Sequence, residues 1–158
     1  MAVSGRIYTS PFVGSTLSAV QDLFNISPGA TRVIALLSIT LGQVTATSIA
    51  NQKLRIRRIG VTAVVGSGGA TIPSNPYVAG DAAATATVRS GDTTQASTAG
   101  VYYDMWADQW NLLNGFLWVP QNVNRPLLIK PSEMLVLSLD SAPASVVASG
   151  SITWEELP

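Results

Sequence analysis

The chain has 158 residues, a length that is typical of a single domain. Nine Lys and Arg residues balance nine Asp and Glu residues, and charged residues make up only 11% of the chain. Because the chain has no Cys and no His, a disulfide scaffold, a cysteine nucleophile, a Cys/His zinc site and a Ser-His-Asp triad are excluded. The 47% hydrophobic content argues against disorder, and the zero net charge argues against general nucleic-acid binding.

So little charge leaves a surface rich in Ser, Thr, Ala and Gly, which is a poor surface for a free monomer in water. We therefore expect part of this surface to contact protein, as in a component of an assembly. The N-terminus has neither a basic region nor a continuous apolar region, so no signal peptide is expected. The charge-free stretch that most resembles a membrane span, residues 33–52, becomes polar after Leu41, so no membrane span is expected.

The first half of the chain shows apolar residues at every second position, which predicts β-strands. Within residues 1–30, we expect an N-terminal arm and a first strand that carries Phe24 and ends at Ser27-Pro28-Gly29. In residues 33–41 the odd-numbered positions form an apolar face, which predicts a half-buried strand. Residues 45–51 fit either a short helix or a loop.

The next segment, residues 53–61, alternates in the same way but slips by one position between Arg57 and Arg58. Because a one-residue slip moves every later side chain to the other face, we predict a β-bulge at this point. Residues 66–87 are rich in Gly, Pro and Ala and poor in charge, and are predicted to form a long loop region.

Residues 102–113 fit a strand, and they also fit a helix capped by Asp104. The following Asn114-Gly115 dipeptide lies between two apolar runs, which favours the strand and predicts a hairpin. Alternation predicts further strands over residues 135–140 and 146–155.

About eight strands, turn signals between them and no convincing long helix predict an all-β protein. Residues 1–158 are expected to form one domain, because no internal repeat divides them. A sandwich or barrel fits this pattern, and the jelly roll is the leading form for eight strands. We predict a single β-sandwich of jelly-roll type with long loops.

The first candidate site is a basic run made of Lys53, Arg55, Arg57 and Arg58. On one strand, Lys53, Arg55 and Arg57 project together and would attract phosphates or the carboxylates of another subunit. Arginine favours bidentate partners of fixed geometry. Pairing with acidic residues of the same chain is an equally good interpretation. Nucleic-acid binding comes third, because no aromatic residue interrupts the run.

The second candidate site is formed by Trp106 and Trp110, which alternate with aspartates and are expected on an exposed or interface face. Such a face would also suit sugar binding. Phe116 and Trp118 share a face of their own strand and are expected to pack mainly in the core.

The carboxylates of Asp104 and Asp108 are the remaining chemical candidates. On a strand they would lie about 13 Å apart, which exceeds the separation of roughly 5–9.5 Å used in glycoside hydrolysis. We therefore predict no catalytic residue, no metal site and no cofactor, and we do not expect an enzyme.

Several segments resemble small proteins encoded among the head genes of tailed bacteriophages. These segments are Val20-Gln21-Asp22-Leu23-Phe24, Leu54-Arg55-Ile56-Arg57, Gly115-Phe116-Leu117-Trp118-Val119-Pro120 and Asn124-Arg125-Pro126. Within that group, the chain is similar to jelly-roll cement (decoration) proteins, which bind the outside of an icosahedral head and hold neighbouring major capsid subunits together. The charge-poor residues 66–87 depart from this group, and no functional residue is transferred from it.

The resemblance implies a virion protein on the capsid exterior, made in the host cytoplasm, with neither catalysis nor a cofactor. It implies the major capsid protein as a partner and assembly into a homodimer or homotrimer, without a nucleic-acid or membrane partner. Two alternatives remain open. One is a carbohydrate- or host-surface-binding module that uses the Trp106/Trp110 face, and the other is a low-copy structural protein at the head–tail junction or in the tail.

Overall fold

The computed structural model describes residues 5–45, 50–122 and 124–158, and every regular element in this part of the chain is a β-strand. The described residues form fourteen strands, not the eight or so expected. In chain order the strands are β1 (Arg6–Leu17), β2 (Gln21–Ser27), β3 (Val33–Gln43), β4 (Asn51–Ile59), β5 (Ala63–Val64), β6 (Ala70–Ile72), β7 (Asn75–Pro76), β8 (Thr87–Ser90), β9 (Ser97–Thr98), β10 (Tyr102–Asn111), β11 (Phe116–Trp118), β12 (Leu127–Ile129), β13 (Met134–Leu139) and β14 (Val146–Leu157). Apart from β1, which was expected to be an arm, the strands that were not predicted are short, and two or three residues show no visible alternation in a sequence.

Two antiparallel sheets of six strands pack as a sandwich, which confirms the expected all-β sandwich class. Sheet A has the order β11-β3-β14-β1-β7, and β12 also pairs with β3. Sheet B has the order β10-β4-β13-β2-β8-β6, and β5 and β9 form a separate two-stranded sheet. We call the sheet surfaces that face each other inner and the opposite surfaces outer.

The main core lies between the inner faces and contains large aromatic side chains from both sheets. Tyr8 and Trp154 stack with ring centres 5.9 Å apart, and Phe12 meets Phe24 edge-on at 5.2 Å. All four side chains are buried. Leu, Ile and Val side chains fill most of the remaining core, and burial of this combined apolar surface stabilises the packing of the two sheets.

A second, smaller apolar cluster lies on the outer face of sheet B. It contains Ile59, Met134 and Val136, and it is covered by Ala63 of β5 and by Ala96, which precedes β9. Strand β13 is therefore buried on both faces. Burial on both faces explains why apolar residues fill nearly all positions of β13, and the polar Ser138 is buried on the outer face, where it donates a hydrogen bond to Asp22.

The bulge predicted in β4 is wrong. Strand β4 pairs with β13 in unbroken register from Leu54 to Ile59, so Arg57 and Arg58 simply face opposite sides. The apparent slip arises because Ile59 faces outward and is buried in the small outer cluster. The extra residue lies instead in β10, where the register with β4 shifts between Asp104 and Trp106.

Residues 33–41 form a strand as predicted, but the apolar face is not the uninterrupted set of odd-numbered residues. Ile34 and Leu36 are fully buried, as is Ile39. The register with β14 shifts at Leu37, which is the extra residue of a bulge. Because of this bulge, the side chains of Ile39 and Leu41 point toward the core.

Three other local expectations need correction. The segment 1–30 contains two strands, because the expected arm is β1, paired along its length with β14. The loop region 66–87 contains β6 and β7, which pair with β8 and β1. The predicted Asn114-Gly115 hairpin does not form, since β10 and β11 belong to different sheets and neither residue adopts a left-handed backbone conformation.

Of the segment predicted as a short helix or loop, residues 46–49 lie outside the described part of the chain. Strand β4 begins at Asn51, the last residue of the predicted segment. No helix of the described residues is long and apolar enough to cross a membrane.

Candidate functional site

Two arginines of the basic run form an ion-pair network with two aspartates on the outer face of sheet B. Arg57 lies opposite Asp104 in the β4–β10 register, and its Nε is 3.3 Å from Asp104 Oδ1. Arg57 Nη2 is also 3.0 Å from Asp140 Oδ1. Arg55 pairs with the same two carboxylates. Its Nη1 lies 3.2 Å from Asp104 Oδ2, and its Nε donates a hydrogen bond to Asp140. Each carboxylate therefore bridges both guanidinium groups.

This network is electrically balanced and partly covered by its surroundings. The side chains of Arg57 and Asp140 are 14% and 13% exposed, whereas those of Arg55 and Asp104 are 37% and 49% exposed. Hydrogen bonding to Asp140 raises the pKa of Arg55 above its usual value. For Arg55 and Arg57, the structure thus agrees with pairing inside the chain. A contact of the same residues with another protein stays a prediction.

The other two residues of the basic run lie apart from this network. Arg58 faces the opposite side of β4, and its guanidinium carbon lies 4.9 Å from the centre of the Tyr103 ring, in a cation–π arrangement. Lys53 is exposed and lines an open groove of about 630 Å³ together with Arg55, Gln109 and Asp140. The four basic residues therefore do not form a continuous positive strip.

Trp106 and Trp110 do not form the fully exposed face that was expected, because Trp110 is buried and Trp106 is half-buried. Met105 is the extra residue of the β10 bulge, so Trp106 and Trp110 point inward while Asp104 points outward. Trp110 is only 2% exposed, and its Nε1 donates a hydrogen bond to the carbonyl of Asn114 at 2.9 Å. Trp106 is half-buried, with its ring centre 5.4 Å from that of Phe116.

An aromatic groove of about 430 Å³ opens where β10, at the edge of sheet B, faces β11 and β12 of sheet A. Trp106 and Trp118 line this edge groove from the two sheets, and both side chains are half-buried. Gln121, Asn122 and Arg125 contribute its polar groups from the connection between β11 and β12. Trp118 was expected to pack mainly in the core, and this groove was not predicted, because the sequence does not show that β10 lies beside β11 and β12 in the folded chain.

An apolar tip forms at the end of sheet B where β4 ends and β10 begins. Its exposed members are Val61, Val64, Val65, Val101, Tyr102 and Tyr103. The Gly60 amide donates to the Val101 carbonyl at 3.4 Å, which holds the two chain segments together. The Tyr102 hydroxyl accepts a hydrogen bond from the Thr98 amide at 3.1 Å, so this ring is also fixed in place. None of the six side chains is charged.

Two buried carboxylates, Asp22 and Asp92, were also missed, since a single aspartate in a strand or turn gives no distinctive pattern. They are 1% and 0% exposed and form a two-way backbone bridge at 2.9 and 3.1 Å. Asp22 accepts the Ala96 amide hydrogen at 2.6 Å and the Ser138 hydroxyl hydrogen at 3.1 Å, while Asp92 is paired with Arg89 at 2.7 Å. Burial raises the pKa of Asp22 to about 6. These contacts fasten residues 92–96 to the outer face of sheet B.

The acidic pair considered for catalysis is not brought together. Asp104 belongs to the ion-pair network, whereas Asp108 lies on the other side of β10 and accepts the amide hydrogen of Gln109 at 2.7 Å. In the described ranges, no group of three or more His, Cys, Asp or Glu residues is placed to hold a metal ion.

No family model, no curated protein and no solved structure matches this chain.

Proposed function

We propose that this protein is a capsid decoration (cement) protein of a tailed bacteriophage, which binds the outside of the head and holds neighbouring major capsid subunits together. The observation that carries the proposal is the apolar tip. Six exposed apolar or tyrosine side chains without a charge are unfavourable in water, whereas they suit the centre of a protein interface. The tip is adjacent to Arg58, and Tyr and Arg are both enriched in interfaces.

We further propose that the sandwich is a jelly roll. Sheet A supplies one set of four strand positions: β1, β14, β3 and an edge made of β11 and β12. Sheet B supplies the other set: β2, β13, β4 and β10. In chain order these members alternate between the two sheets, except that the fourth and fifth, β4 and β10, are neighbours in sheet B; this is the order expected for two Greek keys wound together. Strands β5 to β9 are then additions between the fourth and fifth strands. Jelly rolls are common in viral capsid proteins, which supports the proposal.

The first experiment is to count the copies of this protein per purified particle by quantitative mass spectrometry against the major capsid protein. The decoration proposal predicts hundreds of copies, in proportion to the number of capsid subunits. A dozen copies or fewer would indicate a protein of a unique vertex or of the tail. Absence from the particles would exclude a virion role.

The second experiment tests whether the apolar tip is the attachment surface. Val61→Asp and Tyr103→Asp each place a charge in the tip, and we expect both to reduce attachment to heads that lack the protein. Val13→Asp is the matched control, since Val13 is 85% exposed and lies on β1 in the other sheet. Normal attachment of both folded tip variants would exclude the tip as the contact surface.

The basic run provides a separate comparison. If Lys53, Arg55, Arg57 and Arg58 also contact the major capsid protein, the double variant Arg55→Ser, Arg57→Ser will attach less tightly and with a weaker dependence on salt concentration. If only the tip makes the contact, the folded double variant will attach like the wild type. Sedimentation velocity of the free protein tests the proposed homodimer or homotrimer.

A further inference from the structure

The edge groove combines two aromatic faces in fixed positions. Trp106 is held against Phe116 at 5.4 Å between ring centres, and Trp118 lies opposite Ile39 in the β11–β3 register, which directs it to the inner side of sheet A. Both side chains are therefore positioned before any ligand arrives, so that binding costs little side-chain ordering. The volume of about 430 Å³ lies within the usual range for small-molecule sites.

The polar side chains that line the groove include a positive charge and no negative charge. Arg125 is exposed at the groove, and it has no ion pair with any carboxylate of the described residues. No acidic residue lines the groove. Asn122 Oδ1 accepts the amide hydrogen of Asn124 at 2.9 Å, which orients the Asn122 side chain and leaves its NH₂ group as a donor. The groove thus presents aromatic faces, amide groups and one unpaired cation.

We propose that the edge groove binds a saccharide that carries a carboxylate, such as a uronic or sialic acid residue. The apolar C–H face of a sugar ring packs against an indole face, and its hydroxyl groups pair with side-chain amides such as those of Gln121 and Asn122. The guanidinium of Arg125 selects the carboxylate by a charge-assisted hydrogen bond. This inference is independent of the proposed function, because it concerns the sheet edge and not the apolar tip.

A saccharide fits these observations better than an extended peptide does. A peptide that adds to a sheet needs a long, regular edge, whereas β11 and β12 have three residues each and β10 carries the Met105 bulge. Ligand recognition in the groove therefore has to come from side chains.

The test uses a glycan array of uronic-acid- and sialic-acid-containing oligosaccharides with their neutral counterparts, followed by titration calorimetry with the best acidic ligand. We expect the wild type to prefer the acidic member of a pair. Arg125→Gln should lower affinity for that ligand by about ten-fold or more and abolish the preference. Trp118→Leu should weaken binding of acidic and neutral ligands alike.

Leu117→Ala is the matched control, since Leu117 is exposed on the opposite face of β11 and should leave binding unchanged. Failure to bind any acidic oligosaccharide would overturn the proposal, as would unchanged binding in Arg125→Gln, whose exposed side chain is not needed for folding. Equal binding of neutral and acidic ligands by the wild type would also overturn it. So would binding of polyglutamate peptides without binding of saccharides.

Discussion

Asp22 gives the protein a stability that depends on pH in an unusual direction. Its carboxylate is buried beneath residues 92–96 and accepts hydrogen bonds from the Ala96 amide and the Ser138 hydroxyl. Burial raises its pKa and is the largest effect, the two hydrogen bonds lower the pKa, the nearby Asp92 raises it and Arg57 lowers it. The substitution Asp22→Asn removes the charge and retains both contacts, because the amide oxygen accepts from Ala96 and the NH₂ group donates to Ser138.

The magnitude follows from the pKa, which rises from 3.8 to about 6 on folding. A shift of about 2 units at 1.36 kcal/mol per unit corresponds to about 3 kcal/mol. Since the folded protein binds the proton more tightly than the unfolded chain, this stability is fully present below pH 3.8 and is lost as the pH rises through about 6. We expect Asp22→Asn and the wild type to be similarly stable at pH 4, and the variant to be more stable by about 3 kcal/mol at pH 7.5.

The assay is urea unfolding of both proteins between pH 4 and pH 7.5, with the difference in free energy of unfolding plotted against pH. Asp108→Asn is the matched control, since it makes the same substitution at an exposed position. A difference for Asp22→Asn that does not change with pH would refute the reasoning. A variant that becomes relatively less stable at pH 7.5 would show that the charged form is the one the fold favours.

Three further predictions concern stability and are checked by urea unfolding at pH 7. Asp140→Asn should cost about 1–3 kcal/mol because Asp140 pairs with both Arg55 and Arg57, whereas Asp104→Asn, at a side chain 49% exposed, should cost less than about 1 kcal/mol. Trp110→Ala should cost about 3–5 kcal/mol, and a cost below 1 kcal/mol would contradict its place in the core. Gly150→Ala should cost about 1–3 kcal/mol because its Cβ would lie 2.6 Å from the Thr40 carbonyl oxygen, while Gly42→Ala, with open space around it, should be nearly neutral.

The all-β class could be predicted because a strand that buries one face has apolar residues at every second position. The apolar residues Val146, Ala148, Ile152 and Trp154 are all buried on β14, as alternation predicted. The bulge at Leu37 could not be predicted, because Leu36 and Leu37 are both apolar and the alternation does not show which of them faces the core. The missing hairpin at residues 114–115 has a similar cause, since a turn signal does not indicate which sheet the next strand joins.

The candidate site was less accessible from the sequence than the fold. The ion pairs of Arg55 and Arg57 could not be read from the basic run, because Asp104 lies on β10 and Asp140 directly follows β13, and both strands meet β4 only in the folded chain. A more local feature explains why Trp106 and Trp110 do not form the exposed face that was expected. One extra residue, Met105, exchanges the two faces of β10, and nothing in the composition of the segment reveals it.

The sheet edges indicate how this protein can associate with others. Sheet A ends in β11 and β12, of three residues each, and in the two-residue β7, which contains Pro76. The long edge strand β10 is interrupted by its bulge, and Asp108 places a charge opposite Leu54, on the side that faces sheet A. Short edges, proline, bulges and inward charges all oppose addition of another strand. Association through the apolar tip or the edge groove therefore depends on side chains, and this is why single substitutions there are sufficient tests.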